Sequence, residues 1–156
     1  MEARSALLAA AAMVLWLGAS PALAREDCEG QGSTRLVVQI SSLTSGVGEV
    51  AVTVYPSDPR KFLAPSGKLL RVRVKASAPV TRVCFNLPRP DIYAVAVYHD
   101  ANANRDFDRN RVGMPTEGFA FSNDAPTQFG VPSFDAARFA AKAGETVQRI
   151  KMRYSK

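Results

Sequence analysis

The apolar positions of this chain alternate before they do anything else. Between Thr34 and Ser42, Leu36, Val38 and Ile40 fall on one side of an extended chain, and Val37, Gln39 and Ser41 on the other. Successive side chains of a strand point to opposite faces, so period two with β-branched residues predicts a β-strand. Glu49 to Tyr55 repeats the pattern with Val50, Val52 and Val54. The turn signal Ser45-Gly46-Val47-Gly48 between them predicts an antiparallel hairpin with a slightly long loop. Pro56-Ser57-Asp58-Pro59 then breaks the run, because proline lacks a ladder donor. Phe62 and Leu63 are expected to plug one end of the core.

Lys68 to Ala76 reads as a third strand, with Leu70, Val72 and Val74 inward and Arg71, Arg73 and Lys75 outward. One wet face fits an antiparallel sheet. Val80 to Leu87 is a fourth strand, in which Val83, Phe85 and Leu87 share a face that Cys84 opposes. After the connection Pro88-Arg89-Pro90-Asp91, Ile92 to His99 is the most apolar strand and carries little charge on either side. That makes it a central strand. Tyr93, two residues past the turn, is placed to bond a backbone group through its hydroxyl.

From Asp100 to Gly144 the alternation stops for about 45 residues, a length that implies a functional or internally packed segment. Six of the eight phenylalanines lie here: Phe107, Phe119, Phe121, Phe129, Phe134 and Phe139. They are expected to anchor the segment over one end of the fold by burying their area. Phe119-Ala120-Phe121 suggests a brief edge strand, and Ser133 is an N-cap for a short helix over 134–139. Gly144 to Tyr154 alternates again, as a last strand with Arg149, Lys151 and Arg153 on one face. The fold class is therefore all-β: a single antiparallel β-sandwich of about 6–7 strands with a long structured loop segment and one short helix.

Composition adds the compartment. Met1 to Ala24 has Arg4 in a short leading region, an apolar run over 6–17 and Ala22-Leu23-Ala24 at its end, the pattern of a cleaved signal peptide. The run falls short of the ~20 residues of a membrane span, so no transmembrane segment is expected after cleavage. The expected organisation is a signal peptide over 1–24, an N-terminal arm over 25–33 and one β-sandwich domain over 34–156, in a periplasmic or secreted protein. In an oxidising compartment Cys28 and Cys84 are expected to form a disulfide closing a loop of about 55 residues. The net charge is +6 and the sequence pI about 9.7. A basic exported chain can be drawn to an anionic envelope component or a glycan. No Lys/Arg block exceeds two residues, and no motif for specific nucleic-acid binding is present.

The segment after His99 carries the candidate chemistry. Asp100, Asn102, Asn104, Asp106 and Asp108 stand at alternate positions. Calcium takes six to eight oxygens at about 2.3–2.6 Å, and such a loop can wrap them around one point. Against the helix–loop–helix calcium pattern, Asp100, Asn102 and Asn104 take the first, third and fifth positions, Asp106 the seventh and Asp108 the ninth. Arg105 replaces the glycine of the sixth, Arg111 the glutamate of the twelfth, and Glu117 is the carboxylate available to return in its place. Three arginines offset three aspartates, which points to weak affinity, on the order of 10⁻⁴–10⁻³ M. The competing reading is a metal-free loop of successive Asx-turns. No cofactor other than calcium is suggested.

His99-Asp100-x-Asn102-x-Asn104, Gly113-x-Pro115-x-Glu117-Gly118-Phe119-x-Phe121-Ser122-Asn123 and Phe129-Gly130-x-Pro132-x-Phe134, preceded by Leu87-Pro88 and Tyr93-Ala94-Val95, form one long ordered motif. In it the chain resembles the secreted bacterial proteins grouped as domain-of-unknown-function family 2141, from about Leu36 to Met152. The resemblance implies a small exported sandwich of transthyretin-like or immunoglobulin-like kind and no established activity. Members usually carry glycine where this chain has Arg105. The functional expectation is a non-enzymatic module with an envelope-associated binding or structural role. The alternatives are a hydrolase centred on His99, Asp100 and Glu117, and an adhesin-like module stacking glycans on Tyr98 or Phe107. Catalysis also needs a nucleophile and an oxyanion partner, for which no motif is visible.

Overall fold

The computed structural model describes residues 27–128 and 130–155, so the expected signal peptide and Phe129 lie outside the described residues. Among these residues eight strands form: β1 (Thr34–Ser41), β2 (Glu49–Tyr55), β3 (Leu70–Lys75), β4 (Val80–Leu87), β5 (Asp91–Asp100), β6 (Gly118–Phe121), β7 (Phe139–Ala141) and β8 (Gly144–Lys151). One short helix, α1 (Phe134–Ala137), precedes β7. The smaller sheet runs β4-β1-β8, the larger β3-β2-β5-β6, with β7 also pairing β5. The two pack face to face as an all-β sandwich. Leu36, Val38 and Ile40 of β1 and Phe85 and Leu87 of β4 meet Val50, Val52 and Val54 of β2 and Val95 and Val97 of β5. Period two generates this core, because every second residue of each strand faces the other sheet.

Two expectations about pairing need correction. β1 and β2 are not a hairpin: β1 pairs β4 and β8, while β2 pairs β3 and β5. Their connection crosses from one sheet to the other, with Ser42 left-handed (φ 63°) and Leu43 buried. The sheets are also not purely antiparallel, since β8 runs parallel to β1, with Thr34 opposite Gly144 and Ser41 opposite Lys151. β8 ends at Lys151 rather than Tyr154. The chain then leaves the smaller sheet, and Arg153 exchanges backbone hydrogen bonds with Phe119 of β6 at 2.9 and 3.2 Å.

The N-terminal arm lies beside β4, where Glu29 N–H donates to the Cys84 carbonyl and the Glu29 carbonyl accepts from Asn86 N–H. Cys28 and Cys84 are joined in a disulfide. Val37 stands opposite Cys84 on the outward face of β1 and is buried nevertheless.

The segment after β5 covers the outer face of the larger sheet rather than one end of the sandwich. Ala94 and Ala96 of β5 are small, which lets a second cluster of Phe121, Ala125, Phe134 and Ala137 settle there with Phe62, Ile92 and Phe119. Aromatic edges link it: Tyr55 to Phe62 at 5.3 Å, Phe62 to Phe134 at 5.8 Å, Phe107 to Phe119 at 5.6 Å and Tyr98 to Phe107 at 5.5 Å. Edge-to-face pairs of this kind suit the ring quadrupole. Ser133 caps α1 through Ala136 N–H, but the helix stops at Ala137 because Phe139 turns into the main core as part of β7. Ser122 staples the segment to β5: its Oγ accepts from Val95 N–H at 2.8 Å and donates to the Ala137 carbonyl.

Candidate functional site

The Asp/Asn loop leaves the end of β5 and returns in β6, so the strand pairing of His99 with Gly118 fixes both of its ends. Asp100 is fully buried. Its Oδ1 accepts from Asn104 N–H at 3.1 Å, and its Oδ2 accepts from Arg105 N–H at 2.8 Å and from Arg73 Nη1 at 3.1 Å. These bonds bend the chain through Ala103 and Arg105, both left-handed (φ 55° and 69°). Arg105 thus occupies a position that glycine adopts without cost, and an L-residue there gives up roughly 1–2 kcal/mol.

The other loop side chains continue the wrap. Asn102 Oδ1 accepts from Asn104 N–H at 3.0 Å, and Asn104 Oδ1 from Asp106 N–H at 2.8 Å, two successive Asx-turns. Their amide nitrogens converge on the Asp108 carboxylate, from Asn102 at 2.8 Å and from Asn104 at 2.9 and 3.1 Å. Asp108 N–H donates to Glu117 Oε2 at 3.2 Å. The loop therefore brings Asp100, Asn102, Asn104, Asp108 and Glu117 together, while Asp106 is exposed and adds its backbone N–H. Among the described residues no three His, Cys, Asp or Glu side chains are gathered as a ready metal cluster. Asp100 explains much of this, since Arg73 and two backbone N–H groups already take its oxygens.

Glu117 is the exception to this closure. It is 7% exposed, and its Oε1 is buried with no hydrogen-bond partner. Burial holds its carboxyl above the usual range, the charges of Asp100 and Asp108 push the same way, and the N–H groups of Asp108 and Ala101 oppose them. A buried carboxylate oxygen without a donor costs on the order of 1–3 kcal/mol, more when charged. A cation beside Asp108 and Glu117 would remove that cost and reverse the shift.

Several residues that hold the loop carry no local sequence signal. Arg73 of β3 spans to Asp100, lies 3.9 Å from Glu49, donates to the Tyr98 hydroxyl and donates to the Arg105 carbonyl at 2.9 Å. Its guanidinium stacks on the Tyr98 ring, 5.3 Å from the centroid. Gly48 makes room on the other side, because a Cβ there would sit 2.0 Å from the Asp100 carbonyl oxygen.

His99 faces away from this cluster. It is 2% exposed, with Nε2 at 2.7 Å from the Val47 carbonyl and Nδ1 at 2.7 Å from the Tyr154 hydroxyl. The carbonyl can only accept, so Nε2 carries the proton and Nδ1 accepts from Tyr154. Neither ring nitrogen bonds Asp100 or Glu117. Tyr98 and Phe107, the pair considered for glycan stacking, are half-buried against each other.

Among the described residues no helix is long and apolar enough to cross a membrane. A family model described as an uncharacterized protein conserved in bacteria (DUF2141) matches residues 38–149, from β1 into β8. No curated protein matches the chain, and no solved structure does.

Proposed function

The chain belongs to the DUF2141 family, and from that premise we propose that it is an exported, non-enzymatic binding or structural module whose lid over the larger sheet is stiffened by a weakly held calcium ion. The observation that carries this reading is Glu117 Oε1, buried without a partner beside a loop of alternating Asp and Asn. Asp108 and Glu117 supply the charge. The ion replaces the Asn102 and Asn104 N–H groups on Asp108, those two amide oxygens keep their Asx-turn bonds and share a second lone pair with it, Asp106 gives its carbonyl, and Asp100 holds the turn from its buried position. Three nearby arginines keep the affinity in the weak extracellular class, about 10⁻⁴–10⁻³ M. The leader-like start and the Cys28–Cys84 bridge support a periplasmic or secreted location. The commitment of both His99 nitrogens supports a role without acid–base chemistry. An anionic envelope component is the partner class that the net charge of +6 favours.

Thermal unfolding in calcium against chelator tests the metal. A ligand at 100 times its Kd adds about 2.7 kcal/mol, a shift of several degrees for a domain this size. Magnesium at the same concentration is expected to give a much smaller shift, because it demands a tighter octahedron. Equal melting in calcium and chelator at ~10 mM, well above the expected Kd range, refutes the calcium reading.

A further inference from the structure

The lid leaves part of the larger sheet's outer face open. There an unfilled trough of about 370 Å³ lies against β2, β3, β5 and β6. That is within the usual range for small-molecule sites, about 300–1,000 Å³. Its floor is cut low by Thr53 and Ala96, and its walls include Phe107, Phe119 and Phe121. Two arginines, Arg71 and Arg109, line it, and no acidic residue does.

The state of those arginines distinguishes them from Arg73 next door. Arg71 Nε donates to Thr53 Oγ1 at 2.7 Å, a neutral partner. Arg109 lies over the Phe107 ring, 5.0 Å from its centroid, and donates to the Gly113 carbonyl at 3.1 Å. Arg73 is neutralised by Asp100, whereas neither Arg71 nor Arg109 has a carboxylate within ion-pair distance among the described residues. A guanidinium held by neutral groups keeps N–H donors and a full charge for an incoming anion. The rest of the lining is largely apolar and includes Leu63 and Val131, which are exposed at 36% and 56%. A polyol glycan would leave most of its hydroxyls unpaired on such walls. A hydrocarbon body with one anionic head suits these walls better: the head meets Arg71, while Arg109 stays on the Phe107 ring and the Gly113 carbonyl.

We propose that this trough binds a single-chain carboxylate amphiphile, its head on Arg71 and its chain over Ala96 toward Phe107. At about 30 Å³ per water-sized group, 370 Å³ holds roughly a dozen non-hydrogen atoms, the size of decanoate. The proposal deepens the binding-module reading but does not need the metal, so it is tested by titration in chelator rather than by melting in calcium.

The experiment is a calorimetric and NMR titration of the purified protein with sodium decanoate below its micelle concentration, with 1-decanol as the neutral control. Saturable one-to-one binding is expected, with the amide signals of Thr53, Ala96 and Tyr98 moving and decanol at least about tenfold weaker. R71Q is expected to weaken decanoate at least about tenfold. Val131→Glu places a like charge at an exposed position on the rim, where it leaves folding intact, and should weaken decanoate without affecting decanol. Absence of saturation, signal changes confined to other faces, equal affinity for decanol, or decanoate affinity unchanged in both variants would each overturn the assignment.

Discussion

The described residues bury two clusters, and they are built on different physics. Between the sheets, Leu36, Ile40, Phe85 and Leu87 are fully enclosed, and every strand delivers its residues by alternation. On the outer face of the larger sheet, Phe134 and Phe121 keep a few per cent of exposure and Phe119 is half-buried. Outside β5 and β6 that cluster is delivered by largely irregular chain, so it depends on specific polar bonds to stay in place: Ser122 on Val95, Asp100 on Arg73, and Arg153 on the carbonyls of Asp124 and Ala125. The inner core is redundant, because many apolar contacts share the load. The outer one is not, and elements of this kind open at lower free energy than the core. A binding surface placed there can adjust without unfolding the sandwich.

The comparison breaks most visibly with Phe85→Ala. Removing this fully buried ring should cost about 3–5 kcal/mol, and denaturant unfolding should show the loss as one global transition. Asp100→Ala should cost about 3 kcal/mol, because it strands the Arg73 guanidinium and two backbone N–H groups. The signature should differ: hydrogen exchange over 101–117 should speed up by more than exchange in β1 and β4. Uniform acceleration across both sheets would show that loop and core are one cooperative unit, and the contrast drawn between them would fail.

A finer separation comes from Glu117. Its folded-state carboxyl is held above the ordinary range by burial first and by the Asp100 and Asp108 charges next. An acid with a raised folded value holds its proton more tightly in the native state. The Glu117 contribution to stability without metal is therefore fully present below the ordinary carboxylate range and is lost as pH rises from there to the raised value. Glu117→Gln removes that fall while keeping an acceptor for Asp108 N–H. Melting temperatures in chelator should be equal to or above the parent's at neutral pH, by up to a few degrees. The calcium-induced shift should vanish in the same variant. A variant that melts lower in chelator yet still responds to calcium would show that Glu117 neither carries the pH dependence nor ligates the ion.

The inner core is largely legible in the sequence, and the outer one only in part. Strands such as β4 and β5 follow from alternation with β-branched residues, and Tyr93 bonds the Arg89 carbonyl at 2.9 Å as its place after the turn implies. Alternation names faces, however, and not neighbours. Nothing in Thr34–Ser41 says that its partners are β4 and β8 rather than β2, because that choice depends on a left-handed step at Ser42 and on a C-terminal strand more than a hundred residues away. The phenylalanines announced a packed segment. Where it packs was set by Ala94 and Ala96, whose small size reads as unremarkable strand composition until something lies on them. The loop's dependence on Arg73 was hidden for the same reason: β3 and β5 are brought together only by β2 between them.

The smallest effect tests the loop against its own backbone. Arg105 sits at φ 69° with its side chain mostly exposed and only a distant approach to Glu49 at 4.0 Å. An ion pair so exposed contributes little. The backbone groups of Arg105 hold the turn, its N–H on Asp100 and its carbonyl under Arg73, and glycine retains both. Arg105→Gly therefore trades a left-handed strain of roughly 1–2 kcal/mol for the added unfolded-state freedom of glycine, about 0.5–1 kcal/mol. A net gain of up to about 1.5 kcal/mol is expected, visible as a rise of up to a few degrees in melting temperature. The substitution also removes one positive charge from the loop that carries Asp108, so calcium should bind several-fold more tightly than in the parent. A gain in stability without a gain in calcium affinity would assign Arg105 to backbone strain alone and leave Arg109 and Arg111 as the charges that keep the site weak.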